Sequence, residues 1–122
     1  MKTREIVEKY FAAIHAGGWE DYIAEDFIYA NSFLDRVLKG KAIYVEAGSR
    51  FFSSTTSVEL KKIVIEGEKV AVVARYTVKS PQGKTQEFDV AEFLTVRNGM
   101  LTSSALFFDS MGLANFMAEK NN

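Results

Sequence analysis

Residues 85–109, TQEFDVAEFLTVRNGMLTSSALFFD, decide the fold of this chain because they contain two strand patterns joined by a tight turn. β-branched and aromatic residues are dense on both sides of Arg97-Asn98-Gly99, as expected for paired strands. The pattern predicts one strand from Thr85 to Val96 and another from Leu101 to Asp109. We therefore predict a hairpin whose side chains alternate between the two faces of a sheet.

The geometry of the turn decides which side chains of the hairpin share a face. If Asn98-Gly99 alone forms a two-residue turn, Phe93 lies opposite Ser104. If Arg97 joins them in a turn with a glycine bulge, Phe93 lies opposite Ser103. We favour the bulge, which divides the hairpin into two groups of side chains. The first group is Asp89, Ala91, Phe93, Thr95, Leu101, Ser103, Ala105, Phe107 and Asp109, and the second is Phe88, Val90, Glu92, Leu94, Ser104, Leu106 and Phe108.

Both groups contain large apolar side chains, so both faces of the sheet need a cover. We predict that the first group lines a concave face beneath helices, where it forms a pocket. We predict that the second group lies on the convex face and is covered by a second copy of the chain, which makes the protein a homodimer. Glu92 is then expected to pair with a basic side chain on that convex face.

Upstream of the hairpin the helical and strand periodicities alternate in a defined order. Apolar spacing predicts a helix over residues 3–16 that ends at Gly17-Gly18, and a second helix from Lys41 to Phe52. Shorter patterns predict a helical turn at Trp19 to Ile23, strands at Phe27 to Asn31, Val58 to Glu66 and Lys69 to Ser80, and a weak terminal helix from Met111 to Ala118. This order predicts one α+β domain over residues 1–122, with a bent sheet folded around a helix-lined cavity.

Composition excludes several classes of function. The 122 residues include 15 Lys and Arg against 16 Asp and Glu, a net charge of −1 without runs of like charge. This balance argues against a nucleic-acid or anionic-membrane partner. Cysteine is absent and His15 is the lone histidine, which excludes thiol chemistry and a histidine cluster for zinc. We predict no metal and no cofactor.

The first residues give no sign of a targeting segment. Met1 to Glu5 lead directly into the amphipathic helix, without an apolar core of the signal-peptide type. No apolar stretch approaches the length that spans a membrane. We therefore expect a cytoplasmic protein.

Four short motifs carry a resemblance to a known family. They are KYFAAIHAG at residues 9–17, KGKAI at 39–43, VRNG at 96–99 and FFD at 107–109. In this order the chain resembles the SnoaL-like and ketosteroid-isomerase-like branch of the nuclear transport factor 2 superfamily. The resemblance implies a cone-shaped, curved, mixed sheet wrapped around N-terminal helices, as in cystatin-like folds. It also implies a dimer and an apolar pocket between the helices and the concave face.

The isomerase pattern of this family is only partly present. Tyr10 falls where ketosteroid isomerases place the phenol that stabilises negative charge on a carbonyl oxygen. The general base falls on Asn31, whose amide does not titrate near neutral pH. The second oxyanion donor falls on Ala91, which has no group to donate. The resemblance therefore argues against steroid isomerisation.

Two other branches are also incomplete. Tyr29 and Asn31 match the pair that holds the nucleophilic water in proteins similar to limonene epoxide hydrolase. The aspartate–arginine relay of that branch would fall on Asp89 and Ala91, so it is absent as a set. Polyketide cyclases of the family use a histidine in the cavity, and His15 lies at the wrong helical position for this role.

Two functions of different class stay open. The first is a SnoaL-like enzyme for proton transfer or hydration of a small apolar molecule that bears a carbonyl or hydroxyl group. The second is a non-catalytic module for ligand binding or dimerisation. The candidate catalytic residues are Tyr10, Asn31, Asp89 and Asp109. The two aspartates form an acid pair if both face the cavity. In the alternative, one or both lie at the rim of the cavity and are solvated. The candidate ligand-binding residues are Tyr29, Ala91, Phe93, Ser103, Ala105 and Phe107.

Overall fold

The computed structural model describes residues 2–31 and 37–119, apart from the side chain of Asn31. The helices are α1 (Thr3–Ala16), α2 (Lys41–Ser53) and α3 (Ser110–Ala118), and a 3₁₀ turn spans Trp19–Tyr22. The strands are β1 (Ile23–Asn31), β2 (Leu38–Lys39), β3 (Thr55–Glu66), β4 (Lys69–Lys79), β5 (Thr85–Arg97) and β6 (Met100–Phe107). The order of elements predicted from the sequence is confirmed except for β2, which lies in a segment predicted to be a loop.

The strands form one mixed sheet in the order β2-β1-β6-β5-β4-β3. All neighbours are antiparallel except β1 and β6, which run parallel. Register shifts interrupt β1, β3 and the β5–β6 pair, and such bulges bend a strand and increase its twist. The result is the curved α+β sheet expected from the sequence, with α1 packed against β3 and α2 against β1.

The turn between β5 and β6 is a two-residue turn. Arg97 pairs with Met100 across Asn98 and Gly99, whose φ angles are 53° and 77°. Positive φ at both central positions is the geometry of a type I′ turn, which Asn-Gly favours. The predicted three-residue turn is therefore wrong.

A bulge follows inside the strands instead. The register shifts between Thr95 and Val96, so that Phe93 pairs with Ala105 rather than with either predicted serine. The two-residue turn and the bulge together shift the pairing from the predicted one by two residues, an even number, so the side chains keep their predicted faces. Phe93 and Ala105 therefore still share a face, as predicted. Leu101 is the exception, since it pairs with Val96 and is fully buried on the inner side.

The helices cover the face of the sheet opposite to the one that was predicted. Phe93 and Phe107 are 56% and 51% exposed, whereas Glu92 is 2% exposed beneath the helices. Register explains the inversion, because Arg75 on β4 lies opposite Asp89 on β5 and both charged side chains face outward. The inner face consists of the alternate residues Val70, Val72, Ala74, Tyr76, Val78, Phe88, Val90, Glu92 and Leu94.

The core joins this inner face to the helices. From α1 it receives the apolar stripe Ile6, Val7, Tyr10, Phe11 and Ile14. From α2 it receives Tyr44, and Gly48 allows a close approach to Trp19. A Cβ at Gly48 would lie 3.1 Å from the Trp19 ring, which explains why this helix tolerates an interior glycine.

None of the helices in residues 2–31 and 37–119 combines the length and the apolar character that a membrane crossing requires.

Candidate functional site

A cavity of about 360 Å³ lies between α2 and the inner face of the sheet. Its polar groups come from tyrosines, Arg50 and Glu92, and its remaining wall is apolar or aromatic. Aromatic residues enter from β1, α2, β4 and the end of β6. The wall comprises Tyr29, Leu38, Tyr44, Ala47, Gly48, Arg50, Phe51, Phe52, Tyr76, Val90, Glu92, Leu106 and Phe108.

Glu92 supplies a carboxyl group to the described wall of this cavity. On β5 it lies between Val72 of β4 and Leu106 of β6 in the register, so the alternation of the sheet directs it inward. The hydroxyl of Tyr76 donates a 2.7 Å hydrogen bond to its Oε1 atom. Burial raises the pKa of Glu92 from 4.5 to about 7, although the hydrogen bond from Tyr76 opposes the shift. A carboxyl group with this pKa can accept and release protons at neutral pH.

Two further phenols form a pair above Glu92. The hydroxyl oxygens of Tyr10 on α1 and Tyr44 on α2 lie 2.9 Å apart, and either can donate. Tyr44 lines the cavity, whereas Tyr10 does not and is 1% exposed. Burial raises the pKa of both phenols, and the charge of Glu92 adds to each shift. Tyr10 therefore supports Tyr44 from behind rather than facing the cavity itself.

Aromatic packing holds these hydroxyl groups in position. The Tyr44 ring lies 4.9 Å from Tyr29 and 4.4 Å from Phe27, measured between centroids. Tyr76 lies 5.6 Å from Phe51 and stacks on Phe52 at 6.5 Å. Because such pairs prefer defined geometries, the rings restrict the rotamers of Tyr44 and Tyr76.

The outer face of the sheet carries most of the predicted ligand-binding residues. A shallow depression of about 490 Å³ on this face is lined by Phe93, Ser103 and Ala105, among others. Phe107 meets Phe93 edge to face, with centroids 6.0 Å apart. Ala91 pairs with Phe107 and Val73 on the same side. The prediction that these side chains wall the helix-covered cavity is wrong, because the orientation of the sheet is inverted; Tyr29 alone of the six lies in that cavity.

Neither Asp89 nor Asp109 lies in the wall of the cavity. Asp89 is exposed and binds Arg75, with Oδ1 2.8 Å from Nε, and this guanidinium lowers the pKa of Asp89. Asp109 precedes α3, where its Oδ1 accepts a 2.8 Å hydrogen bond from the backbone N–H of Gly112. This is the role of a helix N-cap. Neither carboxyl group therefore contributes to the described wall of the cavity, where the acid pair was expected.

Asn31 ends β1, and its side chain lies outside the described residues. Its backbone pairs with Leu106, which in turn pairs with Glu92. The backbone of Asn31 is thus in the same row of the sheet as Glu92. Its predicted role stays a prediction.

Sequence reasoning missed Glu92, Tyr44 and Tyr76 as candidates for the site. One signal for Glu92 was present in β4, where apolar residues alternate with Lys69, Arg75 and Lys79. Opposite charges favour cross-strand pairs, so Arg75 opposite Asp89 would have assigned Asp89 to the outer face and Glu92 to the inner face.

A search of residues 2–31 and 37–119 finds no group of three or more His, Cys, Asp or Glu side chains that could hold a metal ion. The carboxyl group and phenols of the described cavity wall can support proton transfer and hydrogen bonding to a ligand.

Comparison with solved structures gives the same fold in proteins of low sequence identity. A proposed SnoaL-like polyketide cyclase from Jannaschia sp. CCS1 has a TM-score of 0.82 at 18% identity, covering 97% of this chain and 93% of its own. TerC, co-crystallised with polyporic acid, has a TM-score of 0.80 at 18% identity, covering 96% and 98%. A hypothetical protein of ketosteroid isomerase-like fold from Catenulispora acidiphila DSM 44928, in complex with trimethylamine, has a TM-score of 0.74 at 20% identity, covering 89% and 88%.

Sequence comparison identifies the family. Among curated proteins no sequence matches this chain. Residues 7–104 match the family model of the SnoaL-like domain, which therefore spans most of the chain from α1 into β6. This protein therefore belongs to the SnoaL-like domain family, within the nuclear transport factor 2-like fold.

Proposed function

We propose that the cavity binds a small, largely apolar molecule with a carbonyl or hydroxyl group, and that Glu92 transfers a proton on it. One observation carries this proposal: the carboxyl group of Glu92, 2% exposed, lies in the described wall of an aromatic cavity and has a pKa of about 7. General bases work best when their pKa is close to the working pH.

Tyr44 supplies the hydrogen bond to the ligand in this proposal. Tyr44 lines the cavity, and its hydroxyl group can donate to a ligand when Tyr10 donates to it. A chain of two phenols polarises its outer hydroxyl group, which strengthens the bond to an oxygen that gains negative charge. Tyr10, predicted from the sequence as the direct donor, becomes a positioning residue behind Tyr44.

The proton balance is simple. Ionised Glu92 removes a proton from the carbon next to the carbonyl group of the ligand. The electron pair of the broken C–H bond moves into the enolate, whose negative charge develops on the carbonyl oxygen that accepts from Tyr44. Glu92 then returns the proton to carbon, at the same atom or at a conjugated one. Asn31 orients the ligand or a water molecule, as its sequence position implies.

Two structural neighbours support a small-molecule ligand. TerC was co-crystallised with polyporic acid, and the Catenulispora protein is in complex with trimethylamine. Both chains share only the fold with this one, so they support the kind of occupant and not its identity.

A non-catalytic binding module is the second candidate. It is favoured by the internal pairing of the polar groups, since Tyr76 already donates to Glu92 and Tyr10 bonds to Tyr44. A cavity whose hydroxyl groups are satisfied without a ligand can be a site for binding alone.

We also propose that the protein is a homodimer through the convex face, but through other side chains than those predicted for it, because Phe88, Val90 and Leu94 are buried on the inner face. Phe93 and Phe107 are 56% and 51% exposed on the convex outer face, and Ile28 and Val64 add 43% and 68% exposed apolar side chains. Exposed apolar patches of this kind are typical of protein–protein interfaces.

Hydrogen–deuterium exchange into a cyclic ketone tests the proton transfer. In D₂O, the protein is expected to accelerate exchange of the α-hydrogens of cyclohexanone, measured by ¹H NMR. The rate should rise with pH as Glu92 ionises. Because general-base catalysis contributes on the order of 100-fold or more, Glu92→Gln should remove nearly all of the acceleration.

Glu87→Gln is the matched control, because Glu87 lies on the same strand but is exposed on the outer face near Arg75. Its exchange rate should equal that of the wild type. Ketone binding without any accelerated exchange would favour the binding module, and the absence of binding would contradict both candidates.

A further inference from the structure

The cavity combines one carboxyl group with an unusually aromatic wall. The described wall contains six aromatic residues, which are Tyr29, Tyr44, Phe51, Phe52, Tyr76 and Phe108. They come from both sides of the cavity: from α2 on one side, and from the sheet and the end of β6 on the other. A ligand inside is therefore surrounded by rings whose faces carry partial negative charge.

The charge of ionised Glu92 has no cationic partner among the described residues. Among the described residues, the neutral hydroxyl group of Tyr76 donates a hydrogen bond to it. Tyr10 and Tyr44, from α1 and α2, are further titratable groups close to it, and both stay neutral because burial raises the pKa of each phenol. Tyr29 of β1 lines the same cavity. A buried carboxylate without a cation is costly, since its solvation by water is lost.

Arg50 is the one basic residue in the described wall, and it lies at the rim. Its side chain is 78% exposed and binds Glu46 through a 2.7 Å ion pair on the same helix. This pairing offsets its charge, and its exposure leaves it in water rather than beside Glu92. The described residues therefore give the interior of the cavity negative electrostatic character, from the Glu92 carboxylate and the ring faces.

We propose that this cavity binds a small organic ammonium ion, with Glu92 as the counter-ion and the aromatic rings as a cage around the cationic group. The inference rests on the proposed function in assigning the ligand to this cavity, and it adds the charge of the ligand. A quaternary or tertiary ammonium group suits the site because it is weakly hydrated and interacts with several ring faces at once.

Proton linkage follows from this arrangement. A cation beside Glu92 favours the ionised carboxylate, so binding releases a proton wherever Glu92 is protonated in the free protein. Because the pKa of Glu92 is about 7, affinity for a permanent cation should increase with pH up to about 7 and then level off. A neutral ligand of the same shape should show no such dependence or the reverse one.

Choline and 3,3-dimethylbutan-1-ol form the matched pair of probes. They have the same shape and hydroxyl group and differ in one atom, a charged nitrogen in place of a carbon. Isothermal titration at pH 8.5 and constant ionic strength should show choline binding about tenfold or more tightly. At pH 6 the preference should shrink, and heats in buffers of different ionisation enthalpy should report proton release on choline binding.

Three variants separate the causes. Glu92→Gln should remove the preference for choline while the neutral alcohol still binds, and Glu87→Gln should leave the preference unchanged. Tyr44→Leu should weaken the binding of choline more than the binding of the alcohol, because the substitution removes an aromatic ring from the cage. Near-ultraviolet circular dichroism of each variant checks that the fold is retained.

The outcomes distinguish the two proposals. If the alcohol binds as tightly as choline at pH 8.5, the ammonium inference is overturned while the cavity remains a site for neutral ligands. If neither probe binds but cyclohexanone does, the inference is likewise overturned and the proposed function stands. Selectivity for choline that survives in Glu92→Gln would also overturn it, because the counter-ion would lie elsewhere.

Discussion

The hydroxyl group of Tyr76 donates a 2.7 Å hydrogen bond to Oε1 of Glu92, although the two residues are not opposite each other in the sheet. Tyr76 pairs with Phe88, and Glu92 pairs with Val72. The long phenol reaches along the inner face because side chains on the concave side of a curved sheet converge. The bond fixes one oxygen of the carboxyl group and supports its ionised form against the cost of burial.

Stability should depend on pH through Glu92. Its pKa is about 7 in the folded chain and 4.5 when unperturbed, so the folded state holds the proton more tightly between these values. Glu92 should therefore contribute fully to the free energy of unfolding below pH 4.5. This contribution should be lost as the pH rises through 7, so the protein becomes less stable. The loss is about 3 kcal/mol from this pKa difference, measured by urea denaturation.

Glu92→Gln provides the control for this pH dependence, because glutamine keeps the shape and does not titrate. The difference in free energy of unfolding between variant and wild type should move in favour of the variant from pH 4.5 to pH 8. Parallel curves for the two proteins would show that Glu92 does not titrate with a raised pKa.

The Tyr10–Tyr44 pair should behave as one unit. Replacing either tyrosine with phenylalanine leaves a buried hydroxyl group without its partner, which costs about 1–3 kcal/mol of unfolding free energy. The double variant removes both hydroxyl groups and should cost less than the sum of the two single variants. A double-mutant cycle by urea denaturation gives the coupling, expected at about 1 kcal/mol.

A coupling energy near zero would mean that the 2.9 Å contact contributes nothing to the fold. Tyr22→Phe is a suitable reference, since Tyr22 follows α1 in the 3₁₀ turn and is only partly buried.

Dimerisation should depend on Phe93. The substitution Phe93→Lys places a charge in the centre of the outer apolar patch and should shift the protein from dimer to monomer in sedimentation velocity at micromolar concentration. Met111→Lys is the control, because Met111 is even more exposed, at 73%, but lies on α3 rather than on a strand of the outer face. A wild-type protein that sediments as a monomer would refute the proposed interface.

Local patterns in the sequence were sufficient for most of the fold. The stripe of Ile6, Tyr10 and Ile14 predicted α1, and Gly17-Gly18 marked its end, because helix periodicity and termination are local properties. The Asn98-Gly99 dipeptide placed the hairpin, since few residues other than Asn and Gly tolerate positive φ at both turn positions. The resemblance from four short motifs likewise identified the family that residues 7–104 match.

The candidate site was only partly predictable. Tyr10 and Tyr29 were recognised as parts of the helix-lined region, but Glu92 was assigned to the wrong face of the sheet. The bulge after Thr95 is a property of the paired strands, and no residue type at that position announces it. Both faces of β5 also contain phenylalanine, so hydrophobicity alone does not indicate which one the helices cover.

The sequence by itself thus determined the elements, their order and the alternation of side chains, because these depend on contacts between residues close along the chain. Only the tertiary structure decided which face of the sheet is inside. That choice depends on the pairing of Arg75 with Asp89 and on the packing of α1 and α2, which bring together residues far apart in sequence. The same choice buries Glu92 among the phenols and thereby raises its pKa towards neutrality.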